Sequence, residues 1–312
     1  MGTTDRTPEL PDADLAVDVQ AVGRTFRGGL GWRRRVALDR VDLQVPRGEC
    51  LGIVGPNGSG KSTLLRLLAG VDRPTTGRVR VLGHPPESRA VRRRLAFLPD
   101  GSPFPAELSA RRVLELVGSL SGIPRRGRRE RIAAMLERVD LDGAGEAPVR
   151  TYSKGMHRRF GLAQAFLTEP DVVLLDEPTA GLDAPGFRVL SELLEAARGR
   201  DATVLLASHV ASDLVEHCDR LALLGEGVVR EVGSPDELLG DPAITELRVR
   251  GLAPERLVGL REQVEREGAE VLAAGPARRS LYDLYRLGSD APGIPPSEAP
   301  SPEQPSSERE GT

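Results

Sequence analysis

The chain has 312 residues, enough for one large domain or two modest ones with a real hydrophobic core. Hydrophobic residues make up 39% and charged residues 29%, a balance typical of soluble proteins. The net charge of -3 and the 3% of aromatic residues argue against a nucleic-acid partner. The arginine cluster at 125–131 has no interleaved aromatics and is interpreted as a solvated face. No stretch approaches the roughly 20 apolar residues of a membrane span, so a membrane process would require another chain to cross the bilayer.

The cellular compartment is suggested by the first residues and by the cysteines. Residues 1–14 are polar and acidic and lack the basic-then-apolar pattern of a signal peptide, so we expect a cytoplasmic protein. Cys50 lies in an apolar run and is interpreted as a core residue. Cys218 follows His217, a pair that could indicate a metal site. Two adjacent ligands without a partner pair cannot complete a tetrahedron, so a helix end near the core is favoured.

Short apolar strands alternate with helices along the chain, which predicts an α/β fold with a mainly parallel sheet. A disordered lead is expected over 1–14 and a disordered tail, rich in Pro, Ser and Glu, over 289–312. A small appendix is expected over 246–288. The predicted strands start at Leu15 and lie at 41–45, 51–54, 171–175, 203–207 and 221–224. The predicted helices lie at 62–68, within 101–168 (one of them capped by Ser109), at 190–197 and at 254–268.

A phosphate-binding motif follows the strand at 51–54. Residues 55–62 fit the pattern G-x-x-x-x-G-K-[ST] and stand between a strand and a helix. Glycines let backbone N–H groups curl around phosphate oxygens, and the helix adds its positive N-terminal end. Lys61 would neutralise the β- and γ-phosphates of ATP, and Ser62 would ligate Mg²⁺. The predicted nucleotide-binding residues of this segment are Gly55, Pro56, Asn57, Gly58, Ser59, Gly60, Lys61, Ser62 and Thr63.

Two carboxylates end the apolar strand at 171–175. A parallel strand delivers its last residues to the edge of the sheet where ligands bind. Asp176 would hold Mg²⁺, directly or through water, and Glu177 would orient or deprotonate the attacking water. Acidic residues at strand ends are common, and it is the phosphate motif upstream that makes this pair a catalytic candidate.

A third motif, Tyr-Ser-Lys-Gly-Met at 152–156, completes a resemblance to the ATP-binding-cassette (ABC) family that covers about residues 15–240. In that family this stretch is the signature motif, and it opens a helix that faces the γ-phosphate bound by the other subunit. The resemblance implies nucleotide contacts from Ser153 and Gly155. Lys154 replaces a glycine and Met156 a glutamine, a variant that resembles the branch paired with exporter-type permeases. Of 43 basic residues only Lys61 and Lys154 are lysine, which suggests that both positions require a compact charge on a flexible stem.

The resemblance implies further site residues on loops that follow strands. Asp183, in Gly-Leu-Asp at 181–183, resembles the residue of the loop that bridges the two active sites. His209, after the strand at 203–207, resembles the switch histidine that contacts the γ-phosphate and the attacking water. The implied catalytic residues are therefore Glu177 and His209.

Two further positions match the family less closely. Asp100 stands where the family has a glutamine or glutamate, and its side chain is one methylene shorter; it would contact Mg²⁺ or water, or serve the hinge that senses the permease. Phe26 is the first candidate for stacking on adenine and Trp32 the second. A core or surface role remains the alternative for both aromatic residues.

The resemblance implies an α/β fold: a RecA-like P-loop core with an antiparallel β subdomain and an inserted helical subdomain at 101–168, within a nucleotide-binding domain at 15–240. It implies an ATPase whose two copies, most simply a homodimer, close head to tail around ATP and Mg²⁺. Closure would drive a transmembrane permease at the cytoplasmic face of the membrane, in the direction of export.

Two rival functions are weighed against this one. A soluble ABC-type ATPase acting on DNA or ribosomes usually carries two cassettes, long coiled-coil inserts or zinc sites, and the sequence shows none of them. A regulatory module that binds nucleotide without hydrolysis is disfavoured because Glu177 and His209 are both present.

Overall fold

A computed structural model describes residues 14–27, 34–101, 104–240 and 254–271. These residues form an α/β fold with one antiparallel sheet and one mixed sheet, as predicted. The strands are β1 (Leu15–Arg27), β2 (Arg34–Pro46), β3 (Cys50–Val54), β4 (Thr76–Val81), β5 (Leu95–Leu98), β6 (Val172–Asp176), β7 (Thr203–Ser208), β8 (Arg220–Gly225) and β9 (Val228–Gly233). The helices are α1 (Lys61–Leu68), α2 (Arg89–Arg92), α3 (Ala110–Leu120), α4 (Arg125–Arg138), α5 (Lys154–Phe166), α6 (Ala184–Arg198), α7 (Ser212–Val215), α8 (Pro235–Leu239) and α9 (Pro254–Arg266), with 3₁₀ turns at Asp142–Ala144 and Val149–Thr151.

The larger sheet positions the candidate site. Its strand order is β5-β6-β7-β3-β8-β9, and all its pairs are parallel except β8 with β9. Every residue of β6 and β7 is buried, because helices or other strands cover both faces of the aliphatic runs. Val54 pairs with Ser208 and Asp176 with Ala207, so β3, β6 and β7 end at the same edge. The loops that follow these three strands therefore meet at that edge.

The smaller sheet is antiparallel, with the order β2-β1-β4, and confirms the predicted β subdomain. Its buried valines pack with α1 and with strands of the larger sheet in one hydrophobic core. Phe26 near the end of β1 pairs with Arg35 near the start of β2. The carbonyl of Ala37 and the side chain of Leu38 lie close to Gly60, so this end of the small sheet contacts the phosphate motif.

Helices α3, α4 and α5 occupy most of the predicted helical region. The side chain of Ser109 accepts a hydrogen bond from the backbone N–H of Arg112 at 3.3 Å, which confirms the predicted cap of α3. A second hydrophobic core contains residues of α5 and α6 together with three fully buried residues, Ile132, Leu136 and Val139. The bounds 101–168 for a separate helical subdomain stay a prediction.

Sequence patterns did not indicate β4, α2 or β9, because each is short and mixes exposed polar residues with few apolar ones. Helix α9 lies within the predicted helix of the appendix. The appendix outside 254–271, the lead (except Asp14) and the tail lie outside the described residues. No helix in the part of the chain that the structure describes is long and apolar enough to cross a membrane.

The two cysteines are buried, as their interpretation as core residues requires. The Sγ atoms of Cys50 and Cys218 lie 3.9 Å apart as free thiols. The hydrogen bond with Cys50 and burial raise the pKa of Cys218, so this thiol stays protonated in the core.

Helix α3 offers a test of the second core. Leu114 is fully buried, whereas Leu116 on the same helix is 49% exposed. We expect Leu114→Ala to destabilise the protein by about 2–5 kcal/mol, because it leaves a cavity that the core fills only partly. Leu116→Ala should change stability by less than about 0.5 kcal/mol. Denaturant unfolding of both variants checks this; equal losses would show that α3 does not pack as described.

Candidate functional site

The phosphate motif forms a tight turn between β3 and α1. Gly60 adopts φ 112°, and a Cβ there would lie 2.6 Å from the carbonyl oxygen of Ala37, so only glycine fits. Gly60 is also the N-cap of α1 and supplies no side-chain hydrogen bond to the first turn. The backbone N–H groups at the start of α1 are thus available to an anion, and the helix dipole favours negative charge there.

A cleft of about 290 Å³ opens at this turn. It gathers residues from the small sheet, from the phosphate turn and the start of α1, and from the loops that follow β5 and β6. Its lining consists of Phe26, Arg35, Ala37, Asn57, Gly58, Gly60, Lys61, Ser62, Thr63, Asp100 and Glu177. The structure therefore brings most of the predicted nucleotide-binding residues into one cavity.

Lys61 links the phosphate motif to the catalytic candidate. Its buried ammonium donates hydrogen bonds to the carbonyl oxygens of Gly55 at 2.7 Å and Pro56 at 3.3 Å. The same nitrogen lies 3.5 Å from Oε1 of Glu177. Nearby, the hydroxyl of Ser59 is buried without a hydrogen-bond partner. A buried cation and an unsatisfied donor beside the turn fit a group with several phosphate oxygens.

Glu177 and His209 are in direct contact. Nδ1 of His209 lies 2.8 Å from Oε2 of Glu177, although the two residues are separated by 32 positions. The side chain of Glu177 is 12% exposed and that of His209 is 48% exposed. Each oxygen of the Glu177 carboxylate thus faces a different nitrogen, Lys61 on one side and His209 on the other. A carboxylate held in this way can orient a water molecule and accept its proton.

Asp176 has the properties of a cation ligand. It is 2% exposed, and its Oδ1 atom is buried without a hydrogen-bond partner. Burial raises the pKa of Asp176; a hydrogen bond from Ser62 lowers it, and the charges of Asp100 and Glu177 raise it further. A buried carboxylate with an unsatisfied oxygen next to a serine hydroxyl fits Mg²⁺, which prefers hard oxygen ligands. Asp100 lies in the same cleft, and its own contact with the metal stays a prediction.

Phe26 lies at the outer end of the cleft and is 37% exposed. The guanidinium of Arg24 stacks over one side of its ring, 4.5 Å from the centroid. An exposed ring beside the phosphate turn suits a flat base, and Arg24 limits its movement. Trp32, the second candidate, lies outside the described residues.

The remaining predicted residues, Ser153, Gly155 and Asp183, form a second group that we call the signature cluster. Ser153 caps α5, and its hydroxyl accepts a hydrogen bond from the N–H of Met156 at 3.2 Å. Asp183 caps α6 by accepting from the N–H of Gly186 at 3.0 Å. A Cβ at Gly155 would collide with the Asp183 carboxylate, so glycine allows the two helix starts to touch. The described lining of the cleft includes none of the three residues.

Sequence reasoning missed three residues at or beside the cleft. Arg35 and Ala37 line it because the register of β1 with β2 carries them to the phosphate turn, and no local pattern indicates that register. Arg158 donates hydrogen bonds to backbone carbonyls next to Glu177. The only feature of the sequence that marks Arg158 is the Arg-Arg pair at 158 and 159. The pair does not reveal that both side chains are buried.

Comparisons with known proteins agree with this geometry. A family model described as "ABC transporter" matches residues 38–180, which contain the phosphate turn, the start of α5 and the carboxylates after β6. The chain is 39% identical over 228 residues to the daunorubicin resistance ATP-binding protein DrrA3 of Streptomyces coeruleorubidus, covering 72% of this chain and 70% of that protein. It is 33% identical over 231 residues to the Nod factor export ATP-binding protein I of Bradyrhizobium diazoefficiens, covering 73% and 74%. A dimeric structure of the ATP-binding cassette MJ0796 in a post-hydrolysis state with ADP and Pi matches with a TM-score of 0.65 and 25% identity, covering 70% of this chain and 98% of that one.

The raised pKa of Asp176 predicts a stabilising substitution. Because burial raises this pKa above its ordinary 3.8, the folded state loses stability as the pH rises through the raised pKa. Above this raised pKa the ligand-free protein carries the cost of the ionised carboxylate. We expect Asp176→Asn to raise the ligand-free Tm by about 2–4 °C, the shift that roughly 1 kcal/mol produces at this size.

The same variant should lose the further stabilisation that Mg–ATP gives the wild type, since Asn is a poor ligand for Mg²⁺. Calorimetric scans at pH 7.5, with and without Mg–ATP, measure both effects. A lower Tm without ligand would contradict the assigned cost of burial.

Arg35 provides a test of the cleft lining. We expect Arg35→Ala to weaken ATP affinity about 3- to 10-fold, because one charge-assisted phosphate contact is lost at an exposed position. Arg34→Ala is the matched control, since adjacent strand residues point to opposite faces. Titration calorimetry with Mg–ATP checks both variants; equal effects would mean that general positive charge, and not the position of Arg35, attracts the nucleotide.

Proposed function

The chain belongs to the ABC transporter family of ATP-binding subunits, and we propose that it hydrolyses ATP in the cleft described above to power an exporter. ATP binding and hydrolysis follow from family membership; the roles of individual residues, the metal, the dimer and the direction of transport are the content of the proposal. The main observation behind the proposal is that the Glu177 carboxylate lies between Lys61 and His209, beside the phosphate turn.

The residues of the cleft divide the chemistry between them. We propose that Lys61 exchanges its bonds to the carbonyls of Gly55 and Pro56 for the β- and γ-phosphates when nucleotide enters. Glu177 then loses its ion pair with Lys61 and is free to accept a proton from water. His209 keeps the carboxylate oriented through the bond to Oε2. Ser62 and Asp176 would hold Mg²⁺, which neutralises phosphate charge during the transfer.

A second copy of the chain is proposed to complete each site. The signature cluster lies outside the described lining of the cleft. This placement supports the role that the family resemblance implies for Ser153 and Gly155, which is to contact a nucleotide bound by another subunit. The start of α5 is suited to an anion because the helix dipole favours negative charge at an N-terminus, although the N–H of Met156 is bonded to Ser153. The MJ0796 cassette was solved as a dimer with ADP and Pi, which supports this arrangement.

The partner in transport is proposed to be a transmembrane permease at the cytoplasmic face of the membrane. Two relatives support export: one is named for daunorubicin resistance and the other for Nod factor export. The Lys154 and Met156 variant of the signature motif is consistent with that branch. Asp100, exposed at the end of β5, is the residue that we assign to the hinge between the cleft and the permease.

The proposal is tested by the Glu177→Gln variant. We expect the wild type to hydrolyse ATP and Glu177→Gln to lose about 10²- to 10⁴-fold in kcat, because its amide cannot act as a base. Its affinity for Mg–ATP should stay within about threefold of wild type, because Lys61 and the phosphate turn remain. Steady-state turnover and titration calorimetry measure the two quantities; turnover that survives the substitution would refute the catalytic role of Glu177.

The partner is identified with the same variant, since an ATPase that cannot hydrolyse should stay closed on ATP. Tagged Glu177→Gln is purified from gently extracted membranes in Mg–ATP. Recovery of a stoichiometric membrane-spanning protein would support the transporter. Recovery with ribosomes or DNA would favour the soluble alternative.

A further inference from the structure

Arg158 forms hydrogen bonds with the backbone around Glu177. It lies in the second turn of α5 and is 8% exposed. Its guanidinium donates to the carbonyl oxygen of Asp176 at 2.8 Å, to that of Pro178 at 3.2 Å, and to that of Glu177 between them. One side chain therefore satisfies three consecutive carbonyls, which we call the catalytic turn (176–178).

The catalytic turn needs such a support. Glu177 adopts φ 48°, a left-handed conformation that residues with a Cβ rarely take. Strained backbone of this kind persists only where the surroundings hold it. On the amide side, the N–H of Glu177 donates to the carbonyl of Ala207 at 2.8 Å. On the carbonyl side, the donor is Arg158, and rotation of these peptides would swing the Glu177 carboxylate away from the cleft.

The charge of Arg158 also matches its surroundings. Burial lowers the pKa of Arg158, and the nearby carboxylates of Asp100, Asp176 and Glu177 oppose that effect. The guanidinium thus stays charged beside a group of three acids that otherwise repel one another. The three bonds come from two nitrogens of the planar fork, Nε to Pro178 and one terminal nitrogen to Asp176 and Glu177. A lysine carries its donors on a single nitrogen and cannot reproduce this spacing.

The next residue shows that the contacts of Arg158 are particular to its position. Arg159 is equally buried at 8% exposed, yet it donates to the carbonyls of Val139 and Asp140 and pairs with Asp183. Two adjacent arginines of one helix therefore support different loops, and Arg158 is the one that holds the catalytic turn.

We propose that Arg158 is a positioning residue for hydrolysis: it fixes the catalytic turn so that Glu177 points at the attacking water. Because Arg158 stands on the helix that Ser153 opens, it ties the catalytic base of one site to the signature cluster that serves the other. This inference rests on the proposed function, since it presumes that Glu177 is the base.

The test compares Arg158→Lys and Arg158→Met with wild type in the full chain. We expect kcat to fall about 100-fold in both variants, the loss that a displacement of about 1 Å of a catalytic group produces. KM for ATP should stay within about threefold, because Lys61 and the phosphate turn are untouched. If Arg158→Met fails to fold, Arg158→Lys, which keeps the charge and the packing of the stem, decides alone.

The matched control acts at the other end of the same helix. Arg131 donates to the carbonyl of Leu167 at the C-terminus of α5 and pairs with Glu169. Arg131→Lys and Arg131→Met remove a comparable tether without touching the catalytic turn. We expect kcat of both to stay within about threefold of wild type.

A double substitution separates positioning from general damage. In the Glu177→Gln background, Arg158→Lys should reduce single-turnover hydrolysis by less than about threefold, because the group that it positions is already gone. An additional 100-fold loss, an unchanged kcat in both single variants, or a KM that rises as much as kcat falls would each overturn the inference. A wild type that does not hydrolyse ATP would overturn the proposed function as well, whereas an active wild type with insensitive Arg158 variants would overturn the inference alone.

Discussion

The burial of two consecutive carboxylates at the end of β6 is the constraint on which the rest of the site depends. Asp176 is 2% exposed and the side chain of Glu177 12%, and a charge removed from water is costly unless a partner balances it. Lys61 reaches them from the phosphate turn and Arg158 from α5, so two cations from distant segments converge on one strand end. The oxygen of Asp176 that still lacks a partner leaves room for one more cation, which is the place that we assign to Mg²⁺.

The contacts of Arg158 explain how the cleft and the signature cluster are linked although they are formed by different residues. The same helix that buries Arg158 against the catalytic turn begins at Ser153 and touches Asp183, the cap of α6. A displacement of α5 by a second subunit would therefore reach Glu177 through three carbonyl bonds. In the proposed dimer, the occupancy of one site would therefore affect the position of the catalytic base in the other, through the packed groups of α5.

Local patterns in the sequence predicted much of this arrangement. The phosphate motif and the apolar strand before Asp176 pointed to positions that the structure gathers at one sheet edge, because parallel strands deliver their ends together. The rarity of lysine pointed to Lys61 at that edge and to Lys154 at the start of α5. The presence of His209 at the site was implied only by family resemblance, and its contact with Glu177 was not predicted. Arg35 and Arg158 could not be predicted. The position of Arg35 depends on the register of two strands with bulges, and the role of Arg158 depends on which loop each of two buried arginines contacts. Short elements such as β4 and β9 were missed because tertiary contacts, and not their own pattern, keep them extended.

The most direct test of the central claim is a crystal structure of Glu177→Gln with Mg–ATP. The account predicts two copies in head-to-tail contact, with the triphosphate on the turn at 55–62, Mg²⁺ on Ser62 and Asp176, and Ser153 of the second copy on the γ-phosphate. Lys61 should have left the carbonyl of Gly55 for the nucleotide. A nucleotide bound elsewhere, a metal that avoids Asp176, or a site completed within a single chain would contradict it.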